Sequence, residues 1–405
     1  MSIELEQAVE IILSHITPIC DTESVELESP ETGHICGRIC AQNIKSPLDL
    51  PPFNRSPLDG YAFCATDSIG ASKQTPVSLK VIEDISVGQC AQKEIVPKTA
   101  IRLATGSPIP DGANCVIRRE DTKMDTANGS VNIFKELSAY DNFCRKGETI
   151  SHGETIVKSG ERLNYAHAGF LAGVGIDSVT VYRKPRILIL ETGDELFNKN
   201  PGQILECGNL PPGKIHSMNY VLLSARLREF GVQVLNIGTC EDNSKVIAQK
   251  IADAAFRGDI MITTGGVSVG RKDLIPQVMK NFLNANILFH GVKIKPGAPA
   301  MFSIYNKLPI FSLSGNPFAA ITTLELLVRP ALAVLSHNKD LNICHAESVL
   351  ENDFPKSSPT RRFVRGIEKN GCVHIADIRY CNCLVDIPAK SQPLKAGEKV
   401  RIWRI

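Results

Sequence analysis

No two of the 13 cysteines are spaced Cys-x-x-Cys, the chain has no run of five like charges, and it has no internal repeat or low-complexity tract. The missing pair removes the commonest zinc and dithiol-redox patterns, and the odd count speaks against a complete disulfide framework. The cysteines therefore read as reduced thiols, mostly among apolar neighbours, as Cys115 is in "NCVI". With a formal net charge of +2 and no charge runs, nothing at whole-chain level points to nucleic acid or to an acidic solvating tail. The start "MSIELEQAVEIILSH" is acidic where a signal peptide is basic, and no apolar run looks long enough to span a bilayer. These absences predict a soluble, cytoplasmic protein with neither membrane nor nucleic-acid partners.

The chain is 405 residues long and 43% hydrophobic, more than one core usually supports, so two to four domains are expected. From about 183 to 336, strand and helix alternate. "RILIL" and "VQVLNIG" read as strands, and "DIMIT" as a buried third. A helix closed by Gly231 lies between the first two, and a helix capped by Asn243 between the second and third. Repeated β-α-β with short loops predicts a doubly wound parallel sheet, whose ligands bind outside the carboxyl ends of the strands. "SGNPFAAITTLELLVRPALAVLS" adds a helix started by an Asn316 cap and Pro317. Before this region, "PVSLKVIEDI" and "SVNIFKEL" are short β runs between turn clusters. After about Lys339, "RRFVRGIEK", "CVHIADI" and "KVRIWRI" fit a small β-barrel or sandwich. The N-terminal helix carries Leu5, Ala8, Val9 and Ile12 on one face, and the polar stretch 21–34 separates it from the β region.

Four loops combine turn glycines with carboxylates or hydroxyls. "PPFNRSPLDGYAF" places Asp59 before Gly60 after two prolines, a pattern that an ordinary Asp-Gly turn also explains. "ETGDEL" puts Asp194 and Glu195 at the ligand edge of the sheet, where adjacent carboxylates suit Mg²⁺ or simply dress a helix start. "TTGGVSVGRKD" follows the third strand; its backbone N–H groups and Ser268 suit an anion, although it matches neither the Walker pattern nor GxGxxG. "KIKPGAPAMF" sets Lys293 and Lys295 before a Pro-Gly turn, and "SLSGNPFAA" makes Ser314, Gly315 and Asn316 a second helix N-terminus suited to an anion.

In this order, "PPFNRSPLDGYAF", "ATGSPIPDGANCVIRRED", "ETGDEL", "TTGGVSVG", "KPGAP" and "SGNP" resemble the molybdopterin molybdenumtransferase family, the MoeA-type proteins and the E domain of gephyrin. The resemblance runs from Met1 to Ile405. It implies an α/β multidomain chain with four parts. These are a MogA-like molybdopterin-binding domain from 1–20 and 183–336, an elongated α+β domain from 21–45 and 141–182, an inserted β domain at 46–140 carrying Asp59, and a C-terminal β-barrel at 337–405. It also implies a homodimer whose cleft lies between the α/β domain of one subunit and the Asp59 domain of the other.

The implied chemistry is the last step of molybdenum cofactor synthesis: adenylylated molybdopterin and molybdate react with the help of Mg²⁺ to give cofactor and AMP. Such a reaction needs hard oxygen ligands for a metal and donors for two anions. By matching motifs, Asp59, Glu195, Asp242 and Asp273 take catalytic positions, and Asp194, Glu195, Asp242 and Asp273 metal positions. Thr192, Gly193, Gly265, Gly266, Ser268, Gly270, Lys295, Ser314, Gly315 and Asn316 take substrate positions. A pterin adenylyltransferase and molybdoenzymes are the implied protein partners.

The chain departs from the family pattern at Thr149 and Ser217, where an acid is usual, and at Arg271, where an acid usually follows Gly270; Ala298 replaces a frequent lysine. Reversing a charge about 4 Å from Mg²⁺ costs several kcal/mol at an effective dielectric near ~20. The departures keep open a paralogue that binds or delivers molybdopterin or its cofactor, while the shared α/β domain and "TTGG" loop keep open a molybdopterin adenylyltransferase, and the likeness to gephyrin a structural scaffold. Molybdate and tungstate both remain open as the anion.

Overall fold

The computed structural model describes residues 2–29, 33–197, 210–268 and 273–405. Helix α1 (Leu5–Ser14) buries Leu5, Ala8 and Ile12, one stripe of a 3.6-residue repeat, while Val9 is half-buried beside them. That stripe enters the same apolar core as Ile187, Ile262 and Leu324, so the first helix packs on the far end of the sequence. The chain then leaves this core. Residues Thr22–Glu26 pair antiparallel with Ser178–Tyr182, and Ile44–Lys45 with Thr155–Val157. Val25, Cys40, Leu163, Leu171 and Val181 fill a second core between these two distant segments.

Between those segments lies a six-stranded sheet that includes β1 (Gly60–Phe63), β2 (Thr99–Leu103) and β3 (Cys115–Arg118), with β1 in register between the other two. Every residue of β1 is buried. Tyr61 and Phe63 face one apolar cluster and Ala62 the other, the alternation of a strand covered on both faces. Beyond this sheet, helix α2 (Tyr165–Gly173) starts at an Asn164–His167 capping box but buries only Leu171, leaving Tyr165 86% exposed.

The sheet of the second half contains β4 (Arg186–Thr192), which is followed by helix α3 (Asn219–Glu229). Strand β5 (Gln233–Cys240), helix α4 (Ser244–Ala254) and strand β6 (Ile260–Thr264) come next. Then follow β7 (Asn286–His290), β8 (Met301–Tyr305) and β9 (Leu308–Leu313). The strand order is β5-β4-β6-β9-β8-β7. The first four are parallel, as the β-α-β pattern predicts, and β8 and β7 add an antiparallel edge. The edge arises because Asn306 and Lys307 both adopt positive φ, which closes a two-residue hairpin between β8 and β9 without a glycine. Gly231, at φ +82, ends α3, and the Asn243 side chain accepts from Lys245 N and Val246 N to start α4.

Helix α5 (Pro317–Leu335) corrects one expectation, because it is long and apolar enough to cross a membrane. Most of it is buried as the central core helix instead. Its Glu325 is buried and paired with Arg226 at 2.6 Å and Arg329 at 3.1 Å, an ion-pair triad that belongs to a protein interior. After α5, five strands close a barrel in the order β10 (Arg361–Lys369), Cys372–Ile375, His345–Leu350, Lys399–Arg404, Cys383–Ile387 and back to β10. The cysteines also need correction. All 12 described ones are free, but only Cys40, Cys115, Cys240 and Cys383 are buried, so most do not serve as core hydrophobes. Burial pushes the Cys115 thiol up to about 12, which keeps it unreactive.

Candidate active site

The carboxyl ends of β4, β5, β6 and β9 bring most of the expected residues together. The Thr192 hydroxyl donates to Thr264 O at 3.4 Å. Gly265 follows at φ +90, and a Cβ there would lie 2.2 Å from Thr192 O, so only glycine lets the β6 loop cross the end of β4. Gly266 stands against the Thr192 hydroxyl, and Gly315 in turn faces the Gly265 Cα. Ile275 N donates to Gly266 O at 2.9 Å and closes the far side of this loop. Ser268 is exposed at its tip, while Gly270 and Arg271 lie outside the described residues.

The carboxylates sit beside this crossing. Gly193 N donates to Cys240 O at 3.2 Å, which ties the end of β4 to the end of β5. Asp194 Oδ1 accepts the Asp242 N–H at 3.0 Å, so these two acids are adjacent. The Glu195 carboxylate folds over Gly193, where a Cβ would meet its Oε2 at 2.6 Å. Asp273 is half-buried two residues before Ile275. Among the described residues, no group of three or more His, Cys, Asp or Glu is placed to hold a metal ion. Asp194 and Asp242 nevertheless offer hard oxygens from adjacent positions. That fits Mg²⁺, which commonly takes one or two protein carboxylates and completes its shell with water and substrate phosphate.

The start of α5 forms the third side. Asn316 Oδ1 accepts from Phe318 N at 2.9 Å and Ala319 N at 3.3 Å, and Asn316 N donates to Ser314 Oγ at 3.2 Å. Lys295 is exposed and pairs in register with Arg362 of β10, which attaches the Lys-Pro-Gly turn to the barrel. From the same strand, the Arg365 guanidinium lies 4.3 Å over the Phe318 ring, and its Nη1 is buried without a partner.

Asp59 lies apart from these loops. Its Oδ1 accepts Thr105 N at 2.7 Å and Thr105 Oγ at 2.9 Å, and its carbonyl accepts Arg119 N. The Thr105 donors, then Arg119 and Arg102, hold its carboxyl below the usual range. It lines a cavity of about 560 Å³ with Asp84, Arg102 and Arg119, all from its own sheet region. Of the departures, Thr149 is exposed with its N–H on Leu50 O, and Ser217 donates its hydroxyl to Glu191 at 2.6 and 2.7 Å.

Sequence reasoning assigned no role to Thr105, Glu191, Asn219 or Arg365. Thr105 and Glu191 sit inside the quoted motifs "ATGSP" and "ETGDEL", where neighbouring residues drew the attention. Asn219 stands in the motif "HSMN", but the bond from its side-chain Nδ2 to Gly315 O spans 96 positions, and nothing local marks that contact.

Comparison with known proteins finds two family matches along the chain. Residues 3–175 match the family described as the MoeA N-terminal region (domain I and II), and residues 188–334 match that described as a probable molybdopterin binding domain. A molybdopterin molybdenumtransferase of Bacillus subtilis is 32% identical over 421 aligned positions, which cover 100% of this chain and 94% of that protein. One of Staphylococcus epidermidis is 33% identical over 382 positions, 90% of this chain and 88% of its own. Two crystal structures of a molybdopterin biosynthesis MoeA protein from Pyrococcus horikoshii superpose with TM-scores of 0.81 and 0.83. Their identities are 28% and 30%; each covers 100% of this chain, with 100% and 99% of the other chain included.

Proposed function

The chain belongs to the molybdopterin molybdenumtransferase family, and from that premise we propose that it catalyses the last step of molybdenum cofactor biosynthesis. Molybdate is inserted into adenylylated molybdopterin, and AMP leaves. The observation that carries this reading is the end-to-end match at 32% identity, with an intact ligand edge of Thr192, Asp194, Asp242, Gly265 and Gly315.

The site's own residues divide the work by charge. Asp194 and Asp242, with Glu195 and Asp273 as further oxygen donors, would hold Mg²⁺, which when bound offsets the charge of the phosphoanhydride. The turn Ser314-Gly315-Asn316 offers the positive end of α5 and a serine hydroxyl to an anion. Gly265, Gly266 and Ser268 line the opposite wall with backbone N–H groups, with Gly270 continuing that loop in sequence. Lys295 and Arg365 add cationic donors from the barrel side, and Arg365 Nη1 is without a protein hydrogen-bond partner, which suits a charge-assisted bond to an oxyanion. Thr192 and Gly193 hold the floor.

The same proposal includes a homodimer and a cytoplasmic location. Among the described residues Asp59 finds its hydrogen-bond partners within its own region, and α2 exposes apolar side chains, which supports a second copy placing its Asp59 against this ligand edge. The adenylyltransferase that makes the substrate and the molybdoenzymes that receive the product are proposed as transient partners. Cell fractionation tests the location.

The decisive experiment incubates the purified protein with adenylylated molybdopterin, molybdate and Mg²⁺. Release of AMP together with active cofactor supports the proposal. Tight pterin binding without AMP release would overturn it in favour of a binding or delivery protein.

A further inference from the structure

One buried carboxylate plays no part in the division above. Glu191 is the next-to-last residue of β4, is only 4% exposed, and has no cationic partner among the described hydrogen bonds and ion pairs. Both its oxygens accept the Ser217 hydroxyl, at 2.6 and 2.7 Å, and Oε1 also accepts Tyr220 N at 3.1 Å. Helix α3 begins at Asn219, and the residue before it makes no side-chain cap. Glu191 therefore caps α3 from another element, and a carboxylate suits the positive end of a helix.

The residue that this cap sets in place is Asn219. Its Nδ2 donates to Gly315 O at 2.9 Å, while its Oδ1 is buried without a partner. An unpaired buried amide oxygen works against stability, so the asparagine is explained by what its N–H holds. The peptide joining Gly315 and Asn316 is planar, so fixing the Gly315 carbonyl fixes the direction of the Asn316 N–H. That N–H donates to Ser314 Oγ, which leaves the serine's own proton to point elsewhere.

We propose that Glu191 and Asn219 are positioning residues for the transferase reaction, acting in series through Gly315 to orient the Ser314 hydroxyl as a donor to a substrate oxyanion. The inference rests on the function proposed above. It assigns no substrate contact to Glu191 or Asn219 themselves.

The test is a double-mutant cycle read by steady-state kinetics and thermal unfolding on the full chain. Asn219→Leu removes the side-chain N–H and the unpaired oxygen together, so Tm should hold or rise while kcat/KM falls about tenfold or more, and Ser314→Ala should lower kcat/KM to the same extent. In the Asn219→Leu/Ser314→Ala double variant, the second change should add almost nothing, because both act on one hydroxyl. Glu191→Ala should lower kcat/KM, and Glu191→Gln, which still accepts both hydrogen bonds, should restore most of it. Additive losses in the cycle, or a Tm fall in Asn219→Leu that alone accounts for the lost activity, would overturn the inference. An inactive native chain would overturn the proposed function instead, so the two failures are told apart.

Discussion

Thr105 directs two donors, its backbone N–H at 2.7 Å and its hydroxyl at 2.9 Å, at a single oxygen of Asp59. Hydrogen bonds to the ionised form lower a carboxyl pKa, and those from Thr105 are the largest influences on this one. The sign follows directly. Asp59 keeps its charge to lower pH than an ordinary aspartate does. Thr105→Val removes the hydroxyl donor and keeps the shape, so the Asp59 pKa should rise toward its ordinary value. The acid limb of kcat/KM should then move to higher pH. An unchanged limb in Thr105→Val would show that Asp59 does not set it.

Gly265 offers a second test, at the crossing of two loops. A Cβ at φ +90 is strained in itself, and here it would also press into the Thr192 carbonyl at 2.2 Å. Gly265→Ala should cost more than about 1 kcal/mol of stability. Because the loop must shift away from Thr192 at the ligand edge, substrate affinity should fall by more than the stability loss explains. A urea midpoint and a calorimetric titration with substrate, on the same preparation, separate the two effects.

In the core, Glu325 should be hard to replace. Its side chain is 3% exposed and answers both Arg226 and Arg329. Removing one member of a buried ionic group leaves uncompensated charge and costs roughly 3–5 kcal/mol. Glu325→Ala should approach that range in chemical denaturation with an unchanged m-value. Both arginines retain some exposure, which places the expected value at the lower end. A loss below about 1 kcal/mol would mean that the triad is not a stabilising unit.

The parts of this fold legible in the sequence are those written locally. Asn243 and Asn316 cap the helices that their positions announce, Gly231 ends α3, and the β-α-β rhythm yields the four parallel strands. What was not legible depends on distant partners or on unusual backbone. The β8–β9 hairpin turns on Asn306 and Lys307 at positive φ, a pair without the usual Asn-Gly signature. The membrane-length α5 shows its nature only when Arg226, 99 residues before Glu325, reaches it. The candidate site follows the same rule. Gly265 and Gly315 advertise themselves, whereas the acid absent from position 217 is met by Glu191, 26 residues earlier and 2.6 Å away.

The proposed dimer makes a prediction that one chain alone cannot satisfy. If Asp59 of one copy serves the ligand edge of the other, an Asp59→Ala chain and an Asp242→Ala chain are each inactive as homodimers. Co-expressed, they should form heterodimers in which one of the two sites has both acids. Activity should reappear in that mixed preparation. The contact surface is tested beside it by Tyr165→Glu with Phe170→Asp, which puts charge on two exposed apolar side chains of α2 without touching its buried Leu171. That variant should sediment as a folded monomer, with an unchanged circular-dichroism spectrum, and should lose activity. Full activity in the monomer, or no rescue in heterodimers purified with a different tag on each chain, would place Asp59 and the α/β loops in separate roles.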